Sequence, residues 1–235
     1  MKHLIIPDAQ VRADVPLEQL TWAGKYAAAK KPDHIICIGD FADMPSLGMY
    51  DVGKRSFEGR RYKIDIAAAH KGMELFMTPI REEQNRQRTN KEKIWKPKLT
   101  LTLGNHEDRI TRAVEADPKL DGVLSLADLG YEKWGWKVIP YLEPVAIDGV
   151  MYAHYFISGV MGRPVTSAQA MINKKFQSCV MGHVQGRQIA YGTRADGKQI
   201  TGLFVGGFYQ HDEQYLRWQG NRHWRGIWML HEVND

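Results

Sequence analysis

The strongest constraint in this sequence is a series of short apolar, β-branched runs, each of which ends in a cluster of polar residues. HLIIPDAQ comes first, and HIICIGD and KLTLTLGNHED repeat the pattern further along. Between the first two runs, apolar residues at helical spacing from Leu17 to Tyr26 predict a helix, with Pro16 suited to its first turn. The order of strand, helix and strand indicates a βαβ unit and a parallel sheet.

The rest of the chain alternates in the same way. A long helix is predicted from about Arg61 to Lys91, and Pro79 is expected to break or kink it. WKVIPY, PVAIDG, VMYAHYF, SCVMGHVQG and RGIWMLHEV read as strands, and TSAQAMINKKF reads as a helix. Asp-Gly pairs at 148–149 and 196–197 predict hairpin turns. We expect one α/β domain over residues 1–235, with a helical insertion or lid at about 44–97.

Composition is that of an ordinary globular protein. Of the 235 residues, 43% are hydrophobic and 25% are charged, which fits one sizeable domain. No apolar run approaches the roughly 20 residues of a membrane span, and MKHLIIPDAQ does not resemble a signal peptide. Cys37 and Cys179 lie in apolar runs and read as buried, reduced thiols. We therefore expect a cytoplasmic protein without a membrane partner; the net charge of +5 is compatible with a polyanionic substrate but does not require one.

Polar residues suited to metal binding follow the predicted strands. They are Asp8, Asp40, Asp43, Asn105, His106, His154 and His183. Strand carboxyl ends are where α/β sheets bind ligands, and Gly39, Gly104 and Gly182 are expected to let the backbone turn sharply there. Carboxylate, amide and imidazole groups are ligands for divalent cations. Two such cations could hold a phosphate and a hydroxide nucleophile, while an imidazole protonates the leaving oxygen.

Five sequence blocks resemble, in order, those of the calcineurin-like metallophosphoesterase family. They are DAQ at 8–10, GDFAD at 39–43, GNHED at 104–108, His154 in YAHYF, and GHVQ at 182–185. The corresponding family blocks are Asp-x-His, Gly-Asp-x-x-Asp, Gly-Asn-His-Asp/Glu, a lone His, and Gly-His-x-His. The resemblance covers residues 8–185. Within the family, the chain is similar to the compact single-domain members from bacteria and their viruses. It implies a four-layer α/β/β/α sandwich with metals at the sheet edge.

The resemblance also implies a role for each matched residue. Asp8 and Asp40 would bind the first metal, and His106 would be the general acid, oriented by Asp43. The second metal would be bound by Asp40, Asn105, His154 and His183. In this assignment, Asp40 bridges the two cations.

Two positions depart from the family pattern. Gln10 and Gln185 stand where the family has histidines of the first metal site. Amide oxygen is a harder ligand than imidazole, so we expect Mn²⁺ or Mg²⁺ there in preference to Zn²⁺. For the centre as a whole we expect two divalent cations, Mn²⁺ first, with Mg²⁺, iron or Zn²⁺ as the alternatives. Each glutamine could coordinate metal, orient a water or only form hydrogen bonds. The alternative is a degenerate site with one metal and little activity.

Several arginines are candidates for contacting a substrate phosphate. Arg109 and Arg187 follow two of the blocks, and Arg55 lies in the predicted lid with Arg60 and Arg61; solvated loop arginines are the alternative for each. The segment YLRWQGNRHWRGIW suits either stacking on nucleic acid or packing of Trp218, Trp224 and Trp228. Glu107 and Asp108 are interpreted as acids at a helix N-terminus. His3, His34, His70 and His231 are interpreted as structural or surface residues.

Three functions compete. The first is a phosphodiesterase or nuclease acting on DNA, RNA or nucleotides, favoured by the basic charge and the Arg/Trp-rich segments. The second is a phosphomonoesterase, but such relatives usually continue the second block with Arg-Gly where this chain has Met44 and Pro45. The third is a non-catalytic nucleic-acid-binding relative. We expect a hydrolase, because a pure binding protein has no need for the pair of His106 and Asp43; the oligomeric state stays open.

Overall fold

Two five-stranded sheets form the frame of this protein, whose computed structural model describes residues 1–212 and 223–234. The first sheet has the order β12-β1-β2-β3-β4, with bounds β1 (His3–Ile6), β2 (His34–Cys37), β3 (Lys98–Thr102), β4 (Lys137–Ile139) and β12 (Trp228–Leu230). Strands β1 to β4 are parallel and β12 is antiparallel to β1. The parallel part confirms the predicted βαβ organisation.

The second sheet mixes parallel and antiparallel strands. Its order is β10-β11-β9-β6-β5, with bounds β5 (Val145–Ile147), β6 (Val150–Ala153), β9 (Cys179–Met181), β10 (Arg187–Thr193) and β11 (Gln199–Val205). A separate short hairpin pairs β7 (Ile157–Ser158) with β8 (Arg163–Pro164). The α-helices in the described residues are α1 (Glu18–Lys30), α2 (Tyr62–Thr89), α3 (Arg109–Ala116) and α4 (Ala168–Lys175). The predicted α/β class is thus confirmed.

Both predicted Asp-Gly hairpins are present. Asp148 and Gly149, with φ of 45° and 77°, join β5 to its antiparallel neighbour β6. Two successive residues with positive φ form the tight turn that matches strand twist. The 196–197 pair lies between β10 and β11, which are also antiparallel.

Of the two outcomes predicted for Pro79, a break is wrong, because α2 runs through it from Tyr62 to Thr89; a kink stays a prediction. Pro79 is buried where α2 meets α1, and a Cβ on Gly24 of α1 would overlap the Phe76 carbonyl. The close approach of the two helices buries a continuous apolar face, and this packing offsets the roughly 3 kcal/mol cost of an internal proline. The prediction that 44–97 is an insertion or lid stays a prediction; its helix packs into the core and its residues 45–57 form short 3-10 turns.

Three apolar clusters hold these layers together. Leu4 and Ile6 of β1 face the cluster that contains Met73 and Phe76 of α2, whereas Ile5 faces the second sheet. The third cluster joins α4 to the other face of the second sheet. Alternate residues of β1 are therefore buried on both sides, which explains its uninterrupted apolar run.

The two cysteines match their prediction as core thiols. Cys37 and Cys179 are buried, free, and located in different clusters. Within residues 1–212 and 223–234, no helix combines the length and apolar character that a bilayer span would require.

A buried histidine pair lies between the sheets at the end opposite the predicted site residues. His3 hydrogen-bonds the Tyr152 hydroxyl and the Asp148 carboxylate, each at 2.8 Å. His34 lies 2.8 Å from the Thr100 hydroxyl, and its ring packs edge-on against His3. Burial, helped by the neighbouring His3, lowers the pKa of His34 to about 4. Both histidines are structural, as interpreted from the sequence.

His34 should make the protein lose stability in mild acid. Its pKa is depressed in the folded state, so its contribution is complete above the unfolded pKa of about 6.5 and is lost as pH falls towards 4. We expect the free energy of unfolding in urea to fall less steeply between pH 6.5 and 4.5 in His34→Gln than in the wild type. The exposed His231→Gln is the control and should keep the wild-type slope; equal slopes in all three proteins would contradict this role.

Candidate metal centre

The turns that follow five strands bring the predicted site residues to one edge of the molecule. The contributing strands are β1 for Asp8 and Gln10, β2 for Asp40 and Asp43, β3 for Asn105 and His106, β6 for His154, and β9 for His183 and Gln185. Hydrogen bonds join these residues in two groups. One contains Asp8, Asn105, His154, His183 and Gln185. The other contains Asp40, Asp43, His106 and, through its backbone N–H alone, Gln10. The two groups meet where His154 Nε2 lies 3.4 Å from Asp40 Oδ2. The site residues proposed from sequence are therefore neighbours in space.

Two imidazoles converge on one amide oxygen. His154 Nε2 lies 2.9 Å and His183 Nδ1 lies 2.8 Å from Oδ1 of Asn105. Oδ2 of Asp40 is 3.4 Å from the same His154 nitrogen. Ligand atoms of Asp40, His154 and His183 all lie within 4.8 Å of one another. Carboxylate, amide and imidazole atoms thus share a space of the size that one cation needs.

In its neutral form, His154 brings no positive charge to this cluster of acceptor atoms. His154 Nδ1 faces the Ile38 carbonyl at 3.0 Å, and a carbonyl only accepts, so Nδ1 carries a hydrogen. A neutral His154 then directs its Nε2 lone pair at the oxygens of Asn105 and Asp40. Although burial alone would lower it, the Asp40 carboxylate raises the pKa of His154 to about 9. Either a proton or a metal cation must occupy this point.

The first metal position predicted from the sequence is richer in oxygen. The Asp8 carboxylate accepts the backbone N–H of His183 at 3.1 and 3.2 Å and the Gln185 side-chain amide at 2.7 Å. Burial, reinforced by Asp40, raises the pKa of Asp8 to about 7. Oε1 of Gln185 is buried and has no hydrogen-bond partner among the described residues. A carboxylate beside an unpartnered amide oxygen is a donor set that fits Mg²⁺ or Mn²⁺.

Three site residues adopt left-handed backbone conformations. Gln10, Asp40 and His183 have φ values of 44°, 48° and 63°. Residues with a Cβ rarely adopt this conformation, and each such case costs on the order of 1 kcal/mol. Since the three lie on three different turns that meet at one point, the strain is concentrated where the polar side chains converge.

The glycines of the sequence blocks mainly provide space for neighbouring side chains. The expected role, a sharp backbone turn, applies to only one of the three. Gly39 has the expected positive φ of 88°. Gly104 and Gly182 do not; instead, a Cβ on Gly104 would overlap the Asp40 carboxylate, and one on Gly182 would overlap that of Asp8. Two of the three glycines therefore let a carboxylate lie directly against the backbone of a neighbouring turn.

His106 and Asp43 form the expected pair beside this cluster. His106 Nδ1 is 2.8 Å from Asp43 Oδ1, and Nε2 is 3.7 Å from Oδ2 of Asp40. Burial lowers the pKa of His106, but the carboxylates of Asp40 and Asp43 outweigh it and raise the pKa overall. Arg12, which the sequence analysis did not single out, donates to the other Asp43 oxygen at 3.1 Å. His106 is thus held as a proton donor with Nε2 towards the centre.

The three arginines predicted to contact substrate occupy different environments. Arg109 donates to the Asp43 carbonyl at 2.6 Å, so it braces the turn that carries Asp43. Arg187 begins β10, where its guanidinium lies 5.9 Å from the Trp224 ring centroid. Arg55 begins an exposed 3-10 turn. A substrate contact stays a prediction for all three.

The Arg/Trp-rich segment is partly described. Trp224 and Trp228 stack with ring centroids 5.0 Å apart, and Trp228 Nε1 donates to the Val205 carbonyl at 3.1 Å. These two tryptophans pack, as one of the two interpretations expected. Trp218 lies outside the described residues.

Glu107 has a role that the sequence did not reveal. It precedes α3, in keeping with its interpretation as an acid at a helix N-terminus, but its side chain is fully buried. Its carboxylate accepts the backbone N–H groups of Asp40, Ala42 and Gly104 at 3.1, 2.9 and 2.9 Å. It thereby ties the turn after β2 to the turn after β3. The only hint in the sequence was its place directly after Asn105 and His106.

Comparisons with known proteins give no family assignment. No protein-family model matches the chain, and no match is found among the curated proteins. Membership of the calcineurin-like family therefore stays a prediction, and the geometry of the site is what supports a function.

Gly104→Ala should disrupt cation binding, because the new methyl group would occupy the space of the Asp40 carboxylate. We expect Mn²⁺ affinity, measured by isothermal titration calorimetry, to fall about tenfold or more. Gly186→Ala is the matched control, since a Cβ at Gly186 meets nothing within 4 Å. Equal Mn²⁺ affinity in the two variants would contradict the role of Gly104.

Glu107→Gln should weaken Mn²⁺ binding by about 10–100-fold, the usual effect of removing a group that orients a ligand. The new amide N–H₂ cannot accept from the backbone N–H groups that the carboxylate now satisfies, so the Asp40 turn loses its anchor. Tyr131→Phe is the control, because it removes the hydroxyl that donates to Glu107 at 3.3 Å and leaves the Glu107 carboxylate in place. Unchanged Mn²⁺ affinity in Glu107→Gln would exclude this positioning role.

Proposed function

We propose that this protein is a metal-dependent phosphoester hydrolase of the calcineurin-like metallophosphoesterase family, acting on phosphodiesters of nucleic acids or nucleotides. The observation that carries the proposal is the convergence of Asp40, Asn105, His154 and His183 on one point beside the pair of His106 and Asp43. A cation site next to an oriented imidazole is the arrangement that metal-assisted ester hydrolysis requires.

The layering supports the finer fold prediction. One apolar cluster lies between helices and the first sheet, a second between the sheets, and a third between the second sheet and α4. We propose that these layers form the four-layer α/β/β/α sandwich of the family. Parallel strands of both sheets would then end at the same edge, where the candidate centre lies.

The residues present fit two divalent cations. Asp8, Gln10, Gln185 and Asp40 would hold the first, and Asp40, Asn105, His154 and His183 would hold the second. Bound cations would neutralise the phosphate and lower the pKa of a water nucleophile. The amide oxygens of the first site favour Mn²⁺ or Mg²⁺.

His106 would supply the proton for the leaving oxygen. Asp43 accepts from its Nδ1 and fixes the ring, so that Nε2 carries the transferable proton towards the centre. Arg12 and Arg109 hold Asp43 from two sides. An oriented general acid of this kind contributes about 10²–10⁴-fold to a rate.

The arginines favour a diester over a monoester. A phosphomonoester carries more negative charge than a diester at neutral pH and is usually gripped by arginine. Here two guanidinium groups near the centre, those of Arg12 and Arg109, are bound to the Asp43 carboxylate and carbonyl, and that of Arg112 donates to the Asn105 carbonyl. A diester carries a single negative charge, so it needs fewer arginine contacts than a monoester in such a site.

A second candidate function rests on Gln185. Its amide donates to Asp8 at 2.7 Å and so satisfies that carboxylate without any cation. A relative that binds one metal and nucleic acid without hydrolysis would use the residue in this way. Activity decides between the two functions.

Hydrolysis of bis-p-nitrophenyl phosphate and p-nitrophenyl phosphate, with Mn²⁺, Mg²⁺, Zn²⁺ or EDTA, tests the proposal. We expect Mn²⁺-dependent cleavage that favours the diester. His106→Ala should reduce turnover by about 10²–10⁴-fold while Mn²⁺ binding persists, whereas His183→Ala should lose both. A preference for the monoester would indicate a phosphatase, and inactivity with every metal would leave the binding protein as the better account.

A further inference from the structure

A cavity of about 610 Å³ lies against the turn that carries the GNHED block. Its apolar walls are Leu103, Leu126, Val138, Pro140 and Tyr141. Small-molecule sites in proteins have volumes of about 300–1,000 Å³ and mostly apolar linings. The cavity is therefore large enough for a flat organic group.

The cavity adjoins the candidate metal centre through side chains from both sheets. Leu103 immediately precedes Gly104, and Asp108, on the cavity wall, follows His106 by two residues. The hydroxyl of Tyr141 donates to that of Tyr155 at 2.8 Å, and the Tyr155 ring lies 4.8 Å from the ring of His183. A molecule held at the centre has this cavity beside it.

Hydrogen-bond acceptors dominate the polar part of the lining. The carboxylates of Asp108 and Glu132 face it together with Thr111 and Lys133. One Asp108 oxygen pairs with Arg112 at 3.2 Å, and the other accepts no hydrogen bond within the described residues. With Arg112 paired to Asp108 and Lys133 beside Glu132, the lining has no excess positive charge to hold a second phosphate group. The two carboxylates suit an uncharged ring that carries N–H donors.

We propose that this cavity binds the nucleobase of the phosphoester substrate. The base would lie against Tyr141, since aromatic rings stack on bases of any sequence, and would donate an N–H group to Asp108. The inference rests on the proposed function and narrows its substrate to esters that carry an unstacked base, such as nucleotides or single-stranded ends. Guanine, with two adjacent N–H donors, is the best-matched probe.

Direct binding tests the cavity without hydrolysis. Guanosine, which has no phosphate, is titrated into the full-length protein in EDTA and followed by calorimetry. We expect saturable binding that weakens at least tenfold in Ala127→Trp, because Ala127 lines the cavity and is exposed. Ala29→Trp, at an exposed position of α1, should bind as the wild type does. Absence of saturable binding, or equal binding in both variants, would overturn the proposal.

Hydrolysis then relates the cavity to the substrate. Guanosine 5′-(p-nitrophenyl phosphate) and methyl p-nitrophenyl phosphate share one leaving group and differ in the second ester group, which is a nucleoside in one and a methyl group in the other. We expect the wild type to prefer the guanosine ester by about tenfold in kcat/KM. Ala127→Trp should lose that preference and keep the rate on the methyl ester. The same preference in Ala127→Trp would count against the cavity, whereas guanosine binding without hydrolysis of either ester would refute the hydrolase and support the cavity.

Discussion

The burial of two carboxylates side by side is the constraint on which the rest of this site depends. Asp8 and Asp40 are almost completely removed from water. In such a buried environment, each unpaired charge costs several kcal/mol. The backbone N–H groups of His183 and His106 donate to them. Such contacts require carboxylates that touch the neighbouring turns directly. This requirement explains why glycine and left-handed residues occur together at one edge of the sheets.

The buried acidic residues have different structural roles, as Glu107 and Asp40 show. The Glu107 carboxylate points at backbone N–H groups and has no free side, whereas Oδ2 of Asp40 faces the imidazoles of His106 and His154. Glu107 thus fixes the conformation of the turn, and the turn fixes Asp40. Rigid support of this kind lets a ligand keep its position when charge at the centre changes.

The features that the sequence predicted correctly are those that short stretches of residues determine. The strands, the Asp-Gly hairpins and the order of polar turns follow from residue types and spacing, so they could be read from the sequence. Glu107 and Asp108 are adjacent acids that the local pattern does not separate into a buried and a cavity-lining residue; only the fold buries one and leaves the other at a cavity. The space that Gly104 provides and the packing that lets α2 continue through Pro79 are likewise tertiary effects. The direction of the Arg109 side chain belongs with them, because its partner lies 66 residues away in the chain.

The two glutamines give the two halves of the proposed centre different needs. Gln185 turns its amide N–H₂ towards Asp8, so hydrogen bonds alone can satisfy that carboxylate, although Oε1 of Gln185 has no partner among the described residues. The other half needs a positive charge, since His154 is fixed by the Ile38 carbonyl and faces two oxygens. A proton or a cation is thus required between Asp40, Asn105 and the histidines, whereas the hydrogen bond from Gln185 reduces that need beside Asp8. In a hydrolase, the affinity of the first position for its cation would then set the metal concentration that activity requires. In a binding protein, the first position would not need a cation.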